Sequence, residues 1–330
     1  MTKPAPTQDD VALEFASHRG YLLSVAYRLT GSWVDAEDAV SDAWIRWQEH
    51  RHEVTTPRAW LTTVVSRIAL DQLRSARARR ETYVGPWLPE PLVTTAAGRP
   101  GELVASGRVA VDPAEAVVQA ADVRMALLVV LDTLTPEQRV AVVLHDALDV
   151  PFAEIAGILG ASVEATRQHA SRGRRKLAGA DLEPLDPPDR AAAVVRDLMA
   201  ALQRADTGAV AKLLAPDIAL TGDGGGRVSA ARRPLHGADE VGRFLLGLAG
   251  QVDDRVRIHH VWVNGAPGLL VHLDSDRRQD PLLAAYAFTV RGGRVQFIHG
   301  VLNPDKVSHL PGSPYPRPLR RAPGSTPPPS

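Results

Sequence analysis

A chain of 330 residues, 45% hydrophobic and 23% charged, has room for two or three compact units and the composition of an ordinary globular protein. With 38 basic against 38 acidic residues it is formally neutral, which excludes a uniformly basic nucleic-acid coat and leaves any DNA contact to local patches. The absence of cysteine excludes disulfide frameworks, thiolate metal sites and thiol nucleophiles. With neither an apolar signal core nor a bilayer-length apolar run, a cytoplasmic protein without membrane contact is expected.

The first unit, residues 1–81, reads as all helix. Leu13, Phe15, Ala16, Leu22, Leu23, Ala26, Tyr27 and Leu29 supply the apolar face of an opening helix that Gly31 ends. A second helix sets Asp35, Glu37, Asp38 and Asp42 on one side and Val40, Ala43, Trp44 and Trp47 on the other, and acids in its first turn suit the helix dipole. Residues 50–56 form a polar loop. Pro57 then opens a third helix with Trp60, Leu61, Val64, Val65, Ile68 and Leu73 apolar, and Trp60 is read as core because it shares the inward stripe with Val64 and Ile68. The tail of this helix is basic, with Arg58, Arg67, Arg74, Arg77, Arg79 and Arg80 against the acid Asp71. Such arginines attract phosphate by releasing counterions, though they also suit an ordinary solvated helix end.

From residue 82 to 112 helical periodicity stops and Pro86, Pro89, Pro91 and Pro100 intrude, so this is a linker long enough to separate two units by tens of ångströms. Within it, Trp87-Leu88-Pro89-Glu90-Pro91 holds a large aromatic in a stiff extended segment suited to docking on another surface. Asp112-Pro113-Ala114-Glu115 starts the next unit, residues 113–180, as a capped helix. Thr135-Pro136-Glu137-Gln138 starts another, with Thr135 as cap and Gln138 closing a capping box, and a helix is expected over 140–148.

Residues 152–177 then read as a helix, a tight turn and a helix. Phe152, Ile155, Ala156 and Leu159 recur at helical spacing, Gly160 breaks the run, and Ser162 caps the second helix. In that helix Val163, Thr166, Ala170, Gly173 and Leu177 face inward, leaving Glu164, Arg167, Gln168, Ser171, Arg172 and Arg175 outside. A helix with a small-residue inner face and Arg, Gln and Ser outside fits the major groove. A solvated helical hairpin is the alternative that this segment alone leaves open.

Residues 181–310 differ in kind. A helix over 191–214 carries Val194, Val195, Leu198, Leu202 and Leu213. Strands are expected at 218–221, 228–235, 255–264, 268–274, 282–290 and 295–302, with a glycine turn at 222–226, a helix near 239–248, and turns at Asn264-Gly265 and Gly292-Gly293. Helices followed by a curved antiparallel sheet describe a cone with an internal pocket. Asp223, His236, His259, His260, His272, Asp274 and His299 are its acid/base candidates, but adjacent strand residues point to opposite faces, so His259 and His260 cannot both face inward. Residues 311–330 read as a disordered tail. The fold class is thus two all-α units followed by an α+β cone.

The stretch from residue 131 to 177 resembles region 4 of a bacterial sigma factor, the module that reads the promoter −35 element. An acidic, aromatic helix, a short loop and AWLTTVVSRIALDQLR with a basic tail resemble region 2. In that order the two resemble the extracytoplasmic-function (ECF) class of the sigma-70 family. The cone resembles the SnoaL-like, nuclear-transport-factor-2-like fold. WLPEP at 87–91, DGGGR at 223–227 and NPDKV at 303–307 resemble the WLPEP, DGGGK and NPDKL motifs of sigma factors carrying this extension, the SigJ type, with Arg227 in place of a lysine and Val307 of a leucine.

The resemblance implies core RNA polymerase and promoter DNA as partners. It would dock Asp35, Glu37, Asp38, Asp42, Trp44 and Arg46 on the clamp helices of the polymerase largest subunit and use residues 50–56 to hold a flipped −10 base, offsetting unstacking worth roughly a few kcal/mol. It would lay Arg58, Arg67, Arg74 and Arg77 on the −10 duplex and the six outward residues of the last helix on the −35 element. Trp87, Leu88, Pro89, Glu90 and Pro91 would meet Asp223, Gly224, Gly225, Gly226 and Arg227 and Asn303, Pro304, Asp305, Lys306 and Val307 as interdomain regulatory contacts. The cone then packs on the sigma units as a built-in regulator. Neither catalysis nor a cofactor nor a metal is implied, and a pocket ligand of unidentified chemistry would act only through differential affinity. Two other readings are a ligand-responsive helix-turn-helix regulator, which needs no second basic bundle, and a SnoaL-like enzyme with a DNA-binding appendage, whose turnover would survive loss of the helical units.

Overall fold

The structure, a computed structural model, describes residues 7–80, 83–95, 124–178, 185–231, 233–274, 281–310 and 312–316. Helix α1 (Gln8–Thr30) opens on a capping box between Thr7 and Asp10 and closes on Gly31, whose left-handed φ of 72° lets its N–H bond the Tyr27 carbonyl. Ser32 caps α2 (Trp33–His50), Arg51–Glu53 form a 3-10 turn within the expected loop, and α3 (Pro57–Arg80) comes next. Leu22, Leu23, Tyr27, Ala36, Val40, Trp47, Leu61 and Val65 are buried between these three helices. Trp60 lies at the edge of that core, 5.8 Å from the Trp47 ring. Leu13 departs from the expected apolar face and is 71% exposed.

The next unit comprises α4 (Met125–Leu131), α5 (Pro136–Val142) behind the Thr135/Gln138 box, α6 (Phe152–Leu159) and α7 (Val163–Ala178). The helix expected over 140–148 is α-helical to Val142 and continues as a π-helical segment at Val143–Ala147; just beyond it the Val150 N–H bonds the Leu144 carbonyl at 2.9 Å as the chain turns. A Cβ on Gly173 would lie 2.6 Å from the Val142 side chain, so glycine lets α7 seat directly on α5. The start expected at 112–115 lies outside the described residues. One apolar cluster runs without a break from Phe15 through Leu73 to Leu144, Ile155 and Ala170, so the two helical units share a core.

The single helix expected over 191–214 is two, α8 (Pro188–Gln203) and α9 (Thr207–Leu213). Ala205 takes a φ of 53°, and Asp206 caps the second piece through the Ala209 N–H. The sheet has seven strands in the order β1-β4-β5-β6-β7-β2-β3. They are β1 (Val93–Thr95), β2 (Leu214–Asp223), β3 (Leu235–His236), β4 (Val256–Val263), β5 (Ala266–Leu273), β6 (Leu282–Arg291) and β7 (Arg294–Val301). Helix α10 (Ala238–Ala249) comes after β3, and α11 (Pro304–Val307) ends the unit.

Three features differ from expectation. The sheet is mixed, because β2 and β7 pair parallel across the intervening α10 and β4–β6 crossover. The strand expected over 228–235 shrinks to Leu235–His236, since residues 230 and 231 cross over Gly222 instead. Strand β1 comes from the linker, pairing Val93 with Val263 at the sheet edge. One sheet face, with Leu269, Phe288, Val290 and Ile298, packs on Val194, Leu198, Leu202 and Val210 of the helices. The other, with Val261, Leu270, Leu283, Ala285 and Val301, packs on Leu88 and Val93 of the linker, Met125 of α4, and Leu310.

Candidate nucleic-acid and interdomain interfaces

On α7 the expected division holds in three dimensions: Thr166, Ala170 and Gly173 are buried, while Glu164, Arg167, Gln168, Ser171, Arg172 and Arg175 are exposed. Arg167 lies 5.8 Å from the Phe152 ring centroid, and Phe152 stacks on His145 at 3.9 Å. The neighbouring Arg174 is instead tied down by Asp146, its Nε donating at 2.8 Å, so it anchors the helix to the preceding turn.

On α2, Asp35, Glu37, Asp38 and Asp42 are half-buried and Arg46 is exposed. Trp44 packs on Phe15 with ring centroids 5.0 Å apart and so belongs partly to the core. On α3, Arg58 stacks over Tyr21 at 4.1 Å and lines a cleft of about 520 Å³ together with His18, Thr56, Asp149 and Glu154. Arg67 donates to the Gly157 carbonyl at 2.9 Å, and Arg74 donates to Glu137 at 3.1 and 3.2 Å. The side chain of Arg77 lies outside the described residues. Two of the arginines expected on DNA therefore contact the other helical unit.

Arg139 was not singled out in the sequence. It is 1% exposed, and its guanidinium donates to the Arg28 carbonyl at the C-terminal end of α1 and to Asp132 at 3.3 Å. Its place beside the apolar run 140–144 marks it as buried, but nothing local names Arg28 as its partner.

The linker is held at two buried polar centres. In the first, the Glu90 carboxylate caps α2, accepting from Ser32 Oγ at 2.8 Å and from the Trp33 and Val34 N–H groups at 2.7 and 3.1 Å. Burial pushes this carboxyl up to about 7, against the Ser32 and Val34 donors that favour its charged form. The Glu90 carbonyl accepts from the Tyr27 hydroxyl at 2.6 Å, and that hydroxyl accepts from Asn264 Nδ2 at 2.7 Å. Asn264, at φ 51° in the β4–β5 turn, also exchanges backbone and side-chain bonds with Leu92.

In the second centre Asp223, fully buried, accepts from Lys306 Nζ at 2.6 Å, from the Leu88 N–H at 2.8 Å and from the Tyr83 hydroxyl at 2.5 Å. Lys306 Nζ also donates to the Leu88 carbonyl and stands 4.0 Å from the Trp87 ring centroid. Asn303 Nδ2 donates to the Tyr83 hydroxyl at 2.7 Å, and Gly225, at φ 61°, leaves room for Asn303 that a Cβ would fill at 2.4 Å. Gly224 and Gly226 complete the turn, while Arg227 reaches Asp305 at 2.6 Å on the surface. Pro89, Pro91, Pro304 and Val307 are buried around these groups. The three motifs thus meet at one place. Of the residues that complete the network, Tyr83 was not singled out, Tyr27 was legible only as part of an apolar helix face and Asn264 only as half of a turn.

The cone's acid/base candidates are dispersed. His236, His259 and His260 are exposed, His272 meets the His259 ring edge-on at 5.6 Å, and Asp274 is paired with Arg257 at 2.7 Å. His299 is buried with Nδ1 unpartnered, and desolvation lowers its pKa to about 4.

Known proteins show the same order of parts. The Sigma-70 region 2 profile matches residues 15–79, Sigma-70 region 4 matches 124–177 and the SnoaL-like domain matches 195–302. The ECF RNA polymerase sigma factor SigJ of Mycobacterium tuberculosis is 46% identical over 305 residues, covering 90% of this chain and 93% of its own length. The probable ECF RNA polymerase sigma factor SigI of the same organism is 29% identical over 304 residues, covering 92% of this chain and 96% of its own. The crystal structure of M. tuberculosis SigJ superposes with a TM-score of 0.72 at 42% identity, covering 92% of this chain and 100% of that one. Likeness of this extent spans both helical units, the linker strand and the cone, and the chain belongs to the extracytoplasmic-function sigma factors of RNA polymerase.

Proposed function

We propose that this sigma factor reads the −35 element with α7 and the −10 element with α3 and the turn before it, and that its own cone governs it through the linker. As a sigma factor the chain binds core RNA polymerase and directs promoter-specific initiation; it is an initiation factor, not an enzyme. The convergence of residues 87–91, 223–227 and 303–307 on Lys306 and Asp223 carries the regulatory reading. It makes the linker's path depend on the cone, and the linker sets how far the two promoter-reading units can part. In this reading the chain divides into region 2 (1–81), linker (82–112), region 4 (113–180), cone (181–310) and tail (311–330).

The acidic side of α2 is assigned to the polymerase. The cone is assigned no catalysis, since its titratable groups are dispersed, and a ligand would matter only as one way to release the linker. The working place is the cytoplasm, beside the polymerase. Among the described residues no helix is long and apolar enough to cross a membrane.

Run-off transcription with core polymerase on a promoter library tests the proposal, comparing the full chain, a chain ended near residue 180, and Lys306→Ala. Lys306→Ala leaves a buried Asp223 uncompensated, at a cost of roughly 3–5 kcal/mol to the docked linker. The expected outcome is that both variants shift the promoters used or their output by at least several-fold. Unchanged transcription from both would refute control by the cone.

A further inference from the structure

Of the six large apolar side chains that stand exposed among the described residues, three are gathered in one stretch of the cone: Phe244, Leu248 and Val252, at 38%, 43% and 48% exposure. They fall four residues apart. The chain keeps turning beyond the end of α10, with the Gln251 N–H bonded to the Leu248 carbonyl and the Val252 N–H to the Ala249 carbonyl, so the three form one stripe. The other side of α10, with Val241, Leu245 and Leu246, packs into the core between the helices and the sheet. Single exposed apolar residues are ordinary on a protein surface, whereas a contiguous stripe marks a contact surface.

Gly247 lies inside this stripe. It is exposed, and a Cβ there would meet nothing within 4 Å, so its own chain supplies no reason for a residue that weakens a helix relative to alanine. Bare backbone at this point lets a second helix approach closely. The two ends of the stripe differ in charge, with Arg243 at its start and Asp253 and Asp254 just past its end, all exposed. Residues equally spaced on either side of Leu248 therefore suit each other. Phe244 matches Val252, and Arg243 matches the Asp253-Asp254 pair, so the stripe is complementary to itself when reversed.

We infer that α10 is the contact surface for a second copy of this chain, the two stripes pairing antiparallel about a two-fold axis at Leu248. A contact of this kind uses the same patch on both copies, which is what a self-complementary stripe provides. The linker and α4 occupy the opposite face of the sheet. Pairing of two cones and attachment of each linker to its own cone therefore do not compete, and the inference is independent of which helix reads which promoter element.

Sedimentation equilibrium of the full chain over a hundredfold range of concentration tests it. The wild-type mass is expected to rise from 35.5 kDa toward twice that value. Leu248→Glu sets two like charges at the axis, and Gly247→Gln fills the close approach with a better helix former; both are expected to stay at the monomer mass with unchanged circular dichroism. Arg243→Glu is expected to weaken association several-fold and Arg243→Glu/Asp254→Arg to restore it. Because the chain has no cysteine, Leu248→Cys offers one thiol per copy. Mild oxidation is expected to join it to its counterpart as a disulfide-linked dimer, whereas Leu13→Cys, on the exposed side of α1, stays monomeric. A wild type that keeps the monomer mass throughout overturns the inference, and if Leu248→Glu then weakens binding to core polymerase, the occupant of the stripe is the polymerase. Association that survives both Leu248→Glu and Gly247→Gln places the contact elsewhere and overturns it as well.

Discussion

His299 sits on β7 with a ring nitrogen that has no partner, and burial holds its pKa near 4 against an ordinary 6.5. In the unfolded chain the imidazole takes up a proton near pH 6.5, whereas in the folded protein it resists protonation down to about pH 4. The unfolded state therefore binds more protons between these values, and stability falls as pH drops through that window. The difference of about 2.5 units corresponds to about 3 kcal/mol at most. His299→Leu removes this contribution. Urea midpoints measured from pH 7 to pH 4 should fall more steeply for wild type than for the variant, and parallel curves would show that the imidazole is not the cause. Residues of this kind are hard to read in a sequence, because their roles depend on distant neighbours. Tyr27 and Asn264 are bonded across 237 residues, and Tyr83 and Asn303 across 220.

Elements were legible where a local rule sufficed. Alternation and Asn-Gly or Gly-Gly turns placed β4 to β7 within about two residues, and the Thr135/Gln138 box and Gly160 marked helix ends. Where distant partners decide, local rules failed. Strand β1 is three residues long and becomes a strand only because β4 offers an edge, and the parallel pairing of β2 with β7 is a property of the crossover. The outward face of α7 was legible from spacing alone, while the engagement of Arg67 and Arg74 by region 4 was not, since surface arginines carry no mark of their acceptor. The 223–227 turn combines both situations. Its glycines announce a turn, but the need for Gly225 comes from Asn303, which a Cβ would meet at 2.4 Å, and from a φ of 61°. Gly225→Ala should cost roughly 1–3 kcal/mol and speed cleavage by chymotrypsin at Trp87 as the linker loosens. Unchanged melting and cleavage would mean that the turn relaxes without disturbing Asn303.

For the molecule as a whole, the shared core of regions 2 and 4 makes their folding a joint event. Leu22, Trp47 and Leu61 belong to the same apolar cluster as Leu144, Ile155 and Ala170. A chain ended near residue 180 should therefore unfold in one urea transition, with tryptophan fluorescence, which reports mainly region 2, coinciding with far-ultraviolet circular dichroism, which reports both. Two separated transitions would show that the units are held together by the cone alone. The cone adds a different restraint, applied through its sheet, so release of one need not release the other.

Strand β1 belongs at once to the linker and to the cone's sheet. Whatever the cone does to this sigma factor, it does at a ratio of one to one, set when the ribosome finishes the chain. A separately encoded inhibitor must be made in matching amounts and is diluted when its synthesis lags; a tethered one keeps its local concentration whatever the copy number. Cell-to-cell variation in expression then changes how many molecules are present without changing the fraction restrained.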